Sequence, residues 1–360
     1  MKQDMDHISR LKKDYPWIQT PLIVGAPMRL IALADMAVEI SKAGGIGFIG
    51  AGTDVSDLST HLEHAQTLLS RTALASSSNT LPIGIGFINW GADLAASIAL
   101  IAQYRPSAVW FFAPASSASL ADWTAQTRRA SPHTKIWVQV GCVRDAVDVV
   151  REVQPDVLVV QGTDAGGHGL ARGASLVSLL PETIDTLAAL EKKTEDGSYM
   201  PPTILAAGGI AESRGVLAAL SLGAAGVVMG TRFLAAPEAQ ISRGYQAEIL
   251  RAGDGGQTTV RTKVYDTLRG TTGWAETHNA RGVINRGYVD AEAGMAEEEG
   301  RRLYALEMQR GDGAWGVDGR MTTYAGSSVG LVREVKGAGE IVREVREGVR
   351  AVLDVVSARL

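Results

Sequence analysis

The stretch Val157–Gly173, VLVVQGTDAGGHGLARG, joins a short apolar run to a glycine-rich loop. A continuous run of branched apolar residues such as Val157–Val160 is typical of a strand that is covered on both faces. The loop that follows, Gln161–Gly173, holds one histidine, His168, beside three glycines. Glycine lets a backbone approach a flat or anionic ligand closely, and histidine can exchange a proton near neutral pH. Taken alone, the loop suits either a catalytic site or a plain turn whose histidine caps a carbonyl.

The same unit, an apolar strand and then a helix, recurs along the first part of the chain. Eight strands are predicted, at Pro21–Pro27, Ile46–Ile49, Pro82–Phe87, Ala108–Phe112, Lys135–Val140, Val157–Val160, Thr203–Ala207 and Gly226–Met229. Helices are predicted between them at Ala32–Ala43, Asp54–Thr72, Ala92–Tyr104, Leu120–Ala130, Val143–Val153, Leu176–Leu190 and Ala211–Leu222. Eight such units in about 240 residues match an α/β fold of the (β/α)8 TIM-barrel type in number and length.

A doubly wound open sheet is the alternative architecture. Its nucleotide-binding form carries the fingerprint GxGxxG directly after the first strand. Here the first strand runs into Gly25–Leu30, GAPMRL, which lacks that fingerprint. The barrel is therefore the favoured prediction.

The alternation stops after about Ala236. Helices are predicted at Glu238–Arg251, Asp290–Gln309 and Ala338–Arg359, with a mixed segment at Arg261–Asn285. This region is too polar to form a second large core. We therefore expect residues 1–236 to form the barrel and residues 237–360 to form a mainly helical extension packed on it.

Composition excludes several classes of function. The formal net charge of −4 gives no basic field for nucleic acid or for an anionic membrane. The single cysteine, Cys142, excludes an internal disulfide and the usual cysteine-based metal sites, and no metal is expected. Neither a signal-peptide core nor an apolar run of membrane-spanning length is present, so a cytoplasmic location is expected. The C-terminal Ala358-Arg359-Leu360, which is similar to peroxisomal SKL-type signals, makes a peroxisomal location the alternative.

The marked residues fall where the predicted strands end. Barrel enzymes bind and react at the carboxyl ends of their strands, and the loops after strands seven and eight often hold phosphate. Gly208-Gly209 and Gly230-Thr231 follow those two strands and offer backbone N–H groups and a hydroxyl. Ala26-Pro27-Met28 could lie against a ring system that belongs to the same ligand. Gln139 and Gln161 could donate to that ring, although each reads equally well as a satisfied polar group at the barrel top.

His168 is the only histidine that this reading places on the rim. The other five, His7, His61, His64, His133 and His278, are predicted to be solvated. Asp164 could orient His168, but a turn or N-cap role fits its position better. His168 is therefore the candidate acid–base residue.

Several motifs together resemble the nitronate monooxygenase family, also called 2-nitropropane dioxygenases. The matching pieces are APM at Ala26–Met28, QGTDAGGHG at Gln161–Gly169, AAGGI at Ala206–Ile210 and VVMGTRFLA at Val227–Ala235. Weaker similarity lies at Trp274–Asn285 and Tyr324–Glu334. The resemblance spans most of the chain, from Pro21 to the last predicted helix.

The resemblance implies an FMN-dependent barrel enzyme that oxidises alkyl nitronates with O2 to carbonyl compounds and nitrite. His168 would be the catalytic base that deprotonates neutral nitroalkanes to nitronates. A small-molecule nitronate or nitroalkane and O2 are the expected partners, and a homodimer is a further expectation. The implied FMN contacts are Ala26, Pro27, Met28, Gln161, Gly166, Gly167, Gly209, Gly230 and Thr231, with Gly208 and Gln139 as further contacts.

Two departures point to the branch typified by fungal enzymes. Bacterial members often carry an asparagine in the loop after the third strand, where this chain reads Gly86-Phe87. They also often carry a lysine near the end of the fifth strand, where this chain has Gln139.

Two other functions remain open. The chain is also similar to FMN-dependent enoyl-thioester (enoyl-ACP) reductases, which share the AGGH loop and use NAD(P)H. The second alternative is a non-catalytic flavin-binding subunit. Flavin reduction by NAD(P)H with turnover of an enoyl thioester would favour the reductase, and tight FMN without any turnover would favour the subunit.

Overall fold

The computed structural model describes residues 2–76, 79–191 and 201–360 of the chain. Eight parallel strands form one sheet in the order β1-β9-β8-β6-β5-β4-β3-β2. These are β1 Leu22–Gly25, β2 Phe48–Gly52, β3 Leu81–Ile88, β4 Pro106–Phe112, β5 Lys135–Val140, β6 Val157–Gln161, β8 Thr203–Ala207 and β9 Gly226–Met229, while β7 Gly167–Leu170 stands outside the sheet.

The two end strands of this sheet meet. A parallel bridge joins Val24 to Ile46, and the Gly25 N–H donates to the Ile46 carbonyl at 3.0 Å. The sheet therefore closes, the predicted (β/α)8 barrel is confirmed, and the open doubly wound sheet is wrong. Each strand is a short apolar run because its two faces are covered by the barrel interior and by the outer helices.

Helices lie between the strands as the periodicity predicts. They are α1 Lys2–Asp14, α2 Ala34–Lys42, α3 Leu58–Leu69, α4 Leu94–Tyr104, α5 Ser117–Ala130, α6 Val143–Glu152, α7 Leu176–Glu191, α8 Ser213–Ser221 and the short α9 Thr231–Leu234. Side-chain caps set where several of these helices begin. At the start of α4, for example, the Asp93 side chain accepts a hydrogen bond from the Ala96 N–H at 2.7 Å. The predicted helix from Asp54 begins later, at Leu58.

The N-terminal segment closes the barrel end where the strands begin. Tyr15, directly after α1, is fully buried, and its hydroxyl accepts from Trp137 Nε1 at 2.7 Å. Asp14 pairs with Lys135, the first residue of β5, at 2.9 Å. Inside the barrel, Trp137 stacks on Trp110 with ring centroids 5.9 Å apart. This end is filled with side chains, so a ligand must enter at the opposite end.

The residues after Ala236 are mainly helical, as expected, but they also contain two strands. The elements are α10 Arg243–Arg251, α11 Gly255–Thr258, β10 Thr259–Thr262, α12 Val264–Arg269, β11 His278–Val283, α13 Arg286–Glu292, α14 Glu297–Met308 and α15 Ala338–Ser357. The long helix α15 returns to the barrel: the Arg346 guanidinium donates to the carbonyls of Ala43 at 2.8 Å and Gly44 at 2.9 Å.

The glycine–histidine loop is not wholly a loop. Its residues Gly167–Leu170 form β7, which pairs antiparallel with β11 in a three-stranded sheet of order β10-β11-β7. The prediction of an irregular loop is therefore wrong over these residues, because their partner strand lies about a hundred positions later in the chain. The stretch Glu191–Pro202, whose charged residues and terminal prolines also predict a loop, falls mostly outside the described residues. Within the described ranges, the helices are all too short or too polar to cross a bilayer.

Replacing Tyr15 with Phe should destabilise the barrel. The change removes the acceptor for Trp137 Nε1 and leaves a buried donor unpaired, which costs about 1–3 kcal/mol of unfolding free energy. Tyr288→Phe is the matched control, since the Tyr288 hydroxyl makes no hydrogen bond to the described part of the chain. Urea unfolding of both variants checks this, and an equal small loss in both would contradict the role given to Tyr15.

Candidate active site

One cavity lies at the carboxyl ends of the barrel strands and has a volume of about 620 Å3. It is bounded by the loops after the strands on one side and by the extension on the other. The structure brings all twelve predicted site residues to its wall: Ala26, Pro27, Met28, Gln139, Gln161, Gly166, Gly167, His168, Gly208, Gly209, Gly230 and Thr231.

The glycine pair after β8 forms an open cradle of backbone donors. Gly208 and Gly209 have φ values of 101° and 75°, a region that favours glycine. A Cβ on Gly208 would lie 2.8 Å from the Gly162 carbonyl oxygen. Within the described chain, the N–H groups of Gly209 and Ile210 have no protein acceptor. Unpaired N–H groups at a glycine turn suit an anionic oxygen.

The loop after β9 adds donors to the same wall. Helix α9 begins at Thr231, so its first N–H groups have no partner within the helix. The Thr231 hydroxyl accepts from the Gly326 N–H at 2.9 Å, which leaves its own proton free to donate. Together the two loops can hold a phosphate-like group.

His168 lies on β7 and faces a carboxylate of the extension. Its Nε2 is 2.9 Å from Asp266 Oδ1 and 3.1 Å from Oδ2. Trp274 stacks on the imidazole with ring centroids 3.8 Å apart and planes 9° from parallel. The histidine side chain is 14% exposed and the carboxylate 6% exposed. The pair is thus largely shielded from water at the edge of the cavity.

Asp266 was not among the site residues predicted from the sequence. This residue lies in α12 between the buried Tyr265 and Leu268. A carboxylate inside such an apolar helical turn is the signal that could have found it, because acidic residues are seldom buried without a partner. Asp164, the residue considered there as a possible orienting group, instead accepts from the Ser327 hydroxyl at 2.9 Å and does not contact His168.

Two arginines of the extension hold the loop before His168 in place. Arg261 donates to the carbonyls of Thr163 and Ala165 at 3.1 Å each, and Arg281 donates to Thr163 at 3.2 Å. Burial, and then the neighbouring Arg281, lower the pKa of Arg261 to about 10. Arg261 therefore stays charged at neutral pH and keeps all its donors.

A second histidine also lies near this rim. The ring of His278 is 5.7 Å from that of Phe112 and 6.2 Å from that of Trp274. Burial lowers the pKa of His278 below its ordinary value, and the proximity of His168 lowers it further. The prediction that His278 is solvated is therefore wrong. His64 and His133 are exposed as predicted, whereas His7 and His61 are half-buried rather than fully solvated.

The outer wall is aromatic and carries a cation. Trp90, Phe112, Trp274 and Tyr324 line it, and the Arg269 guanidinium lies over the Tyr324 ring at 5.2 Å. Among the described residues, Arg269 forms no ion pair with an acidic side chain. Trp274 and Tyr324 are the first residues of the two segments of weaker similarity described above. Their place in those segments was the sequence signal for this wall.

The two glutamines differ in what they leave free. Gln139 Oε1 accepts from Trp110 Nε1 at 3.1 Å, which orients its amide and leaves the NH2 group available. Gln161 Nε2 donates to the His168 carbonyl at 3.5 Å, so it also supports β7.

Within the described ranges, no three His, Cys, Asp or Glu side chains come together as metal ligands.

Comparison with known proteins gives a consistent picture. Residues 88–348 match the family model described as nitronate monooxygenase. The chain is 45% identical over 355 residues to "Nitronate monooxygenase npaC" of Metarhizium robertsii, covering 97% of both chains. It is 38% identical to a nitronate monooxygenase of Neurospora crassa, covering 94% of this chain and 92% of that one.

Solved structures share the fold at lower identity. FabK from Thermotoga maritima has a TM-score of 0.73 at 21% identity, covering 98% of this chain and 99% of that one. The nitroalkane oxidase from Streptomyces ansochromogenes has a TM-score of 0.68 at 22% identity, covering 92% and 98%.

The two glycines before His168 should respond differently to alanine. A Cβ on Gly166 would lie 2.5 Å from the backbone of Ala325 and Gly326, so Gly166→Ala should cost about 3 kcal/mol by overpacking. A Cβ on Gly167 meets nothing within 4 Å, so Gly167→Ala should cost only about 1 kcal/mol, for its φ of 66°. Urea unfolding measures both, and equal losses would show that the loop does not pack against the extension this closely.

Proposed function

The chain belongs to the nitronate monooxygenase family, and from this we propose that it oxidises alkyl nitronates with O2 to carbonyl compounds and nitrite, using FMN. The family is one of oxidoreductases, so the chain is an enzyme of that class. One observation carries the proposal: His168 and the two donor loops face the same cavity. Its substrates would be small nitronates, with nitroalkanes as precursors, and O2.

The site's residues fit FMN. The N–H groups of Gly209 and Ile210 and the Thr231 hydroxyl would hold the phosphate. Gly230 leaves space for the ring. Even an added Cβ at this position would be no closer than 3.6 Å to Ala26 and 3.9 Å to the Met28 sulfur. The proposed contacts are Ala26, Pro27, Met28, Gln139, Gln161, Gly166, Gly167, Gly208, Gly209, Gly230 and Thr231. When bound, the flavin would accept electrons from the nitronate, and the protein would position both.

His168 would act on neutral nitroalkanes. The C–H bond next to a nitro group is acidic, and a neutral imidazole beside it can take the proton. The resulting imidazolium would offset the negative charge of the nitronate. A nitronate that is supplied ready-made does not need this step, so the two substrates separate the role of His168 from all later steps.

The extension would supply the substrate side of the site. Arg269 has no acidic partner among the described residues and can offer a cation to the nitronate oxygens. Trp274 and Tyr324 would surround the organic part of the substrate and keep water away. We therefore infer a division in which residues 1–236 bind the flavin and residues 237–360 complete the substrate pocket. A homodimer is part of the proposal and is tested by sedimentation.

The visible spectrum of the purified protein tests the proposed reaction. We expect a yellow protein, or one that becomes yellow with added FMN, whose flavin is reduced by a nitronate without oxygen and yields nitrite once air is admitted. Parallel addition of NADPH with an enoyl thioester tests the reductase alternative. A colourless protein that does not take up flavin, or turnover of the enoyl thioester alone, would overturn the proposal.

His168→Asn should separate the two substrates. Loss of the base should lower kcat/KM for a neutral nitroalkane by about 10²–10⁴-fold, the usual range for general base catalysis. Turnover of the matching nitronate should change by only about threefold, because that proton is already gone. Oxygen consumption with each substrate measures this. An equal loss on both would remove the assignment of His168 as the base.

A further inference from the structure

We propose that Asp266 is a positioning residue that holds His168 with its proton on Nε2, so that Nδ1 takes the substrate proton. This inference rests on the proposed function, because it concerns the same base. The Asp266 carboxylate of the extension lies in short contact with the His168 imidazole at the barrel rim.

The contact decides the histidine tautomer. An ionised carboxylate can only accept hydrogen bonds, so the nitrogen at 2.9 Å from it must carry a proton. That nitrogen is Nε2, and a neutral imidazole then has its free lone pair on Nδ1. Among the described residues, Nδ1 of His168 has no hydrogen-bond partner. It is therefore the nitrogen left free to accept a proton.

The carboxylate is itself held in place. The Thr271 hydroxyl donates to Asp266 Oδ1 at 3.0 Å, and the Tyr324 hydroxyl lies at 3.4 Å from the same oxygen. Burial raises the pKa of Tyr324 above its usual range, so this phenol remains a donor across the neutral pH range. Since Thr271 and Tyr324 both donate to Oδ1, the carboxylate cannot easily turn away from His168.

A carboxylate and an aromatic ring face would lie against the imidazolium that forms when His168 takes the proton. Asp266 would face the imidazolium with a negative charge, as the carboxylate of a catalytic triad does. Trp274, stacked at 3.8 Å, offers its ring face to the same cation. The charged or titratable side chains near this pair are His278, Arg269 and Tyr324. Asp266 is the acidic group in contact with His168 within the described residues.

The kinetic test uses Asp266→Asn, with Asp148→Asn on the exposed face of α6 as the matched control. We expect Asp266→Asn to lower kcat for a neutral nitroalkane by about 10²-fold or more, with a much smaller change for the nitronate. In a His168→Asn background the same change should add almost nothing, because the two residues act as one unit. Asp266→Glu should restore part of the lost activity. Asp148→Asn should behave as the wild type.

A purely structural role predicts a different pattern. Asp266→Asn would then lower turnover of both substrates equally, and its effect would add to that of His168→Asn. Either result overturns the inference. If Asp266→Asn does not fold, Thr271→Val makes the same comparison, with an expected loss of about tenfold on the nitroalkane alone.

A nitrogen NMR spectrum tests the tautomer without any substrate. With imidazole nitrogens labelled, the His168 signals, assigned through His168→Asn, should show a protonated Nε2 and an unprotonated Nδ1. Asp266→Asn should move proton occupancy towards Nδ1. Unchanged signals would refute the positioning role even if the protein oxidises nitronates, and the expected change would support it even if the protein does not.

Discussion

The antiparallel ladder between β7 and β11 is the contact on which the site depends. It places His168 opposite Ala280 and so attaches the glycine–histidine segment of the barrel to the C-terminal extension. Without it, a GHGL sequence would have little reason to be extended, because glycine is disfavoured in isolated strands. With it, the imidazole meets the Asp266 carboxylate and the stacked Trp274 indole, both of which lie more than ninety residues later in the chain. The ladder thus holds the glycine–histidine segment extended over the end of the barrel.

Much of the barrel could be predicted because its signals are local. The strand bounds at Lys135–Val140, Thr203–Ala207 and Gly226–Met229 agree with the sequence prediction to the residue, since each is an apolar run ended by glycine or a helix. The N-terminal segment that closes the barrel end was not predicted. Its apolar side chains, among them Leu11 and Tyr15, pack with barrel residues such as Trp137 that come much later in the chain. Likewise, β7 is a strand because it pairs with β11, which lies far from it in the chain and also pairs with β10.

The candidate site divides in the same way. Residues at strand ends, such as Gln161 and Gly209, could be placed from the barrel prediction alone, because all eight strands run parallel and end on one rim. Asp266 and Arg269 could not, since the segment that carries them has no repeating pattern and no local signal of its partner. His278 was wrongly predicted to be solvated for the same reason. A polar segment considered without its neighbours is typical of the protein surface, whereas His278 is partly buried by residues far away in the chain. Nonlocal pairing therefore sets the limit of what the sequence shows.

The central claim is that a flavin and one imidazole meet at the open end of this barrel, with the extension completing the pocket. A crystal structure of the protein loaded with FMN tests it most directly. We expect the phosphate within hydrogen-bonding distance of the Gly209 N–H and the Thr231 hydroxyl, with the His168 ring on the substrate side of the flavin. A flavin bound elsewhere, or a His168 imidazole turned away from it into the protein, would contradict the account.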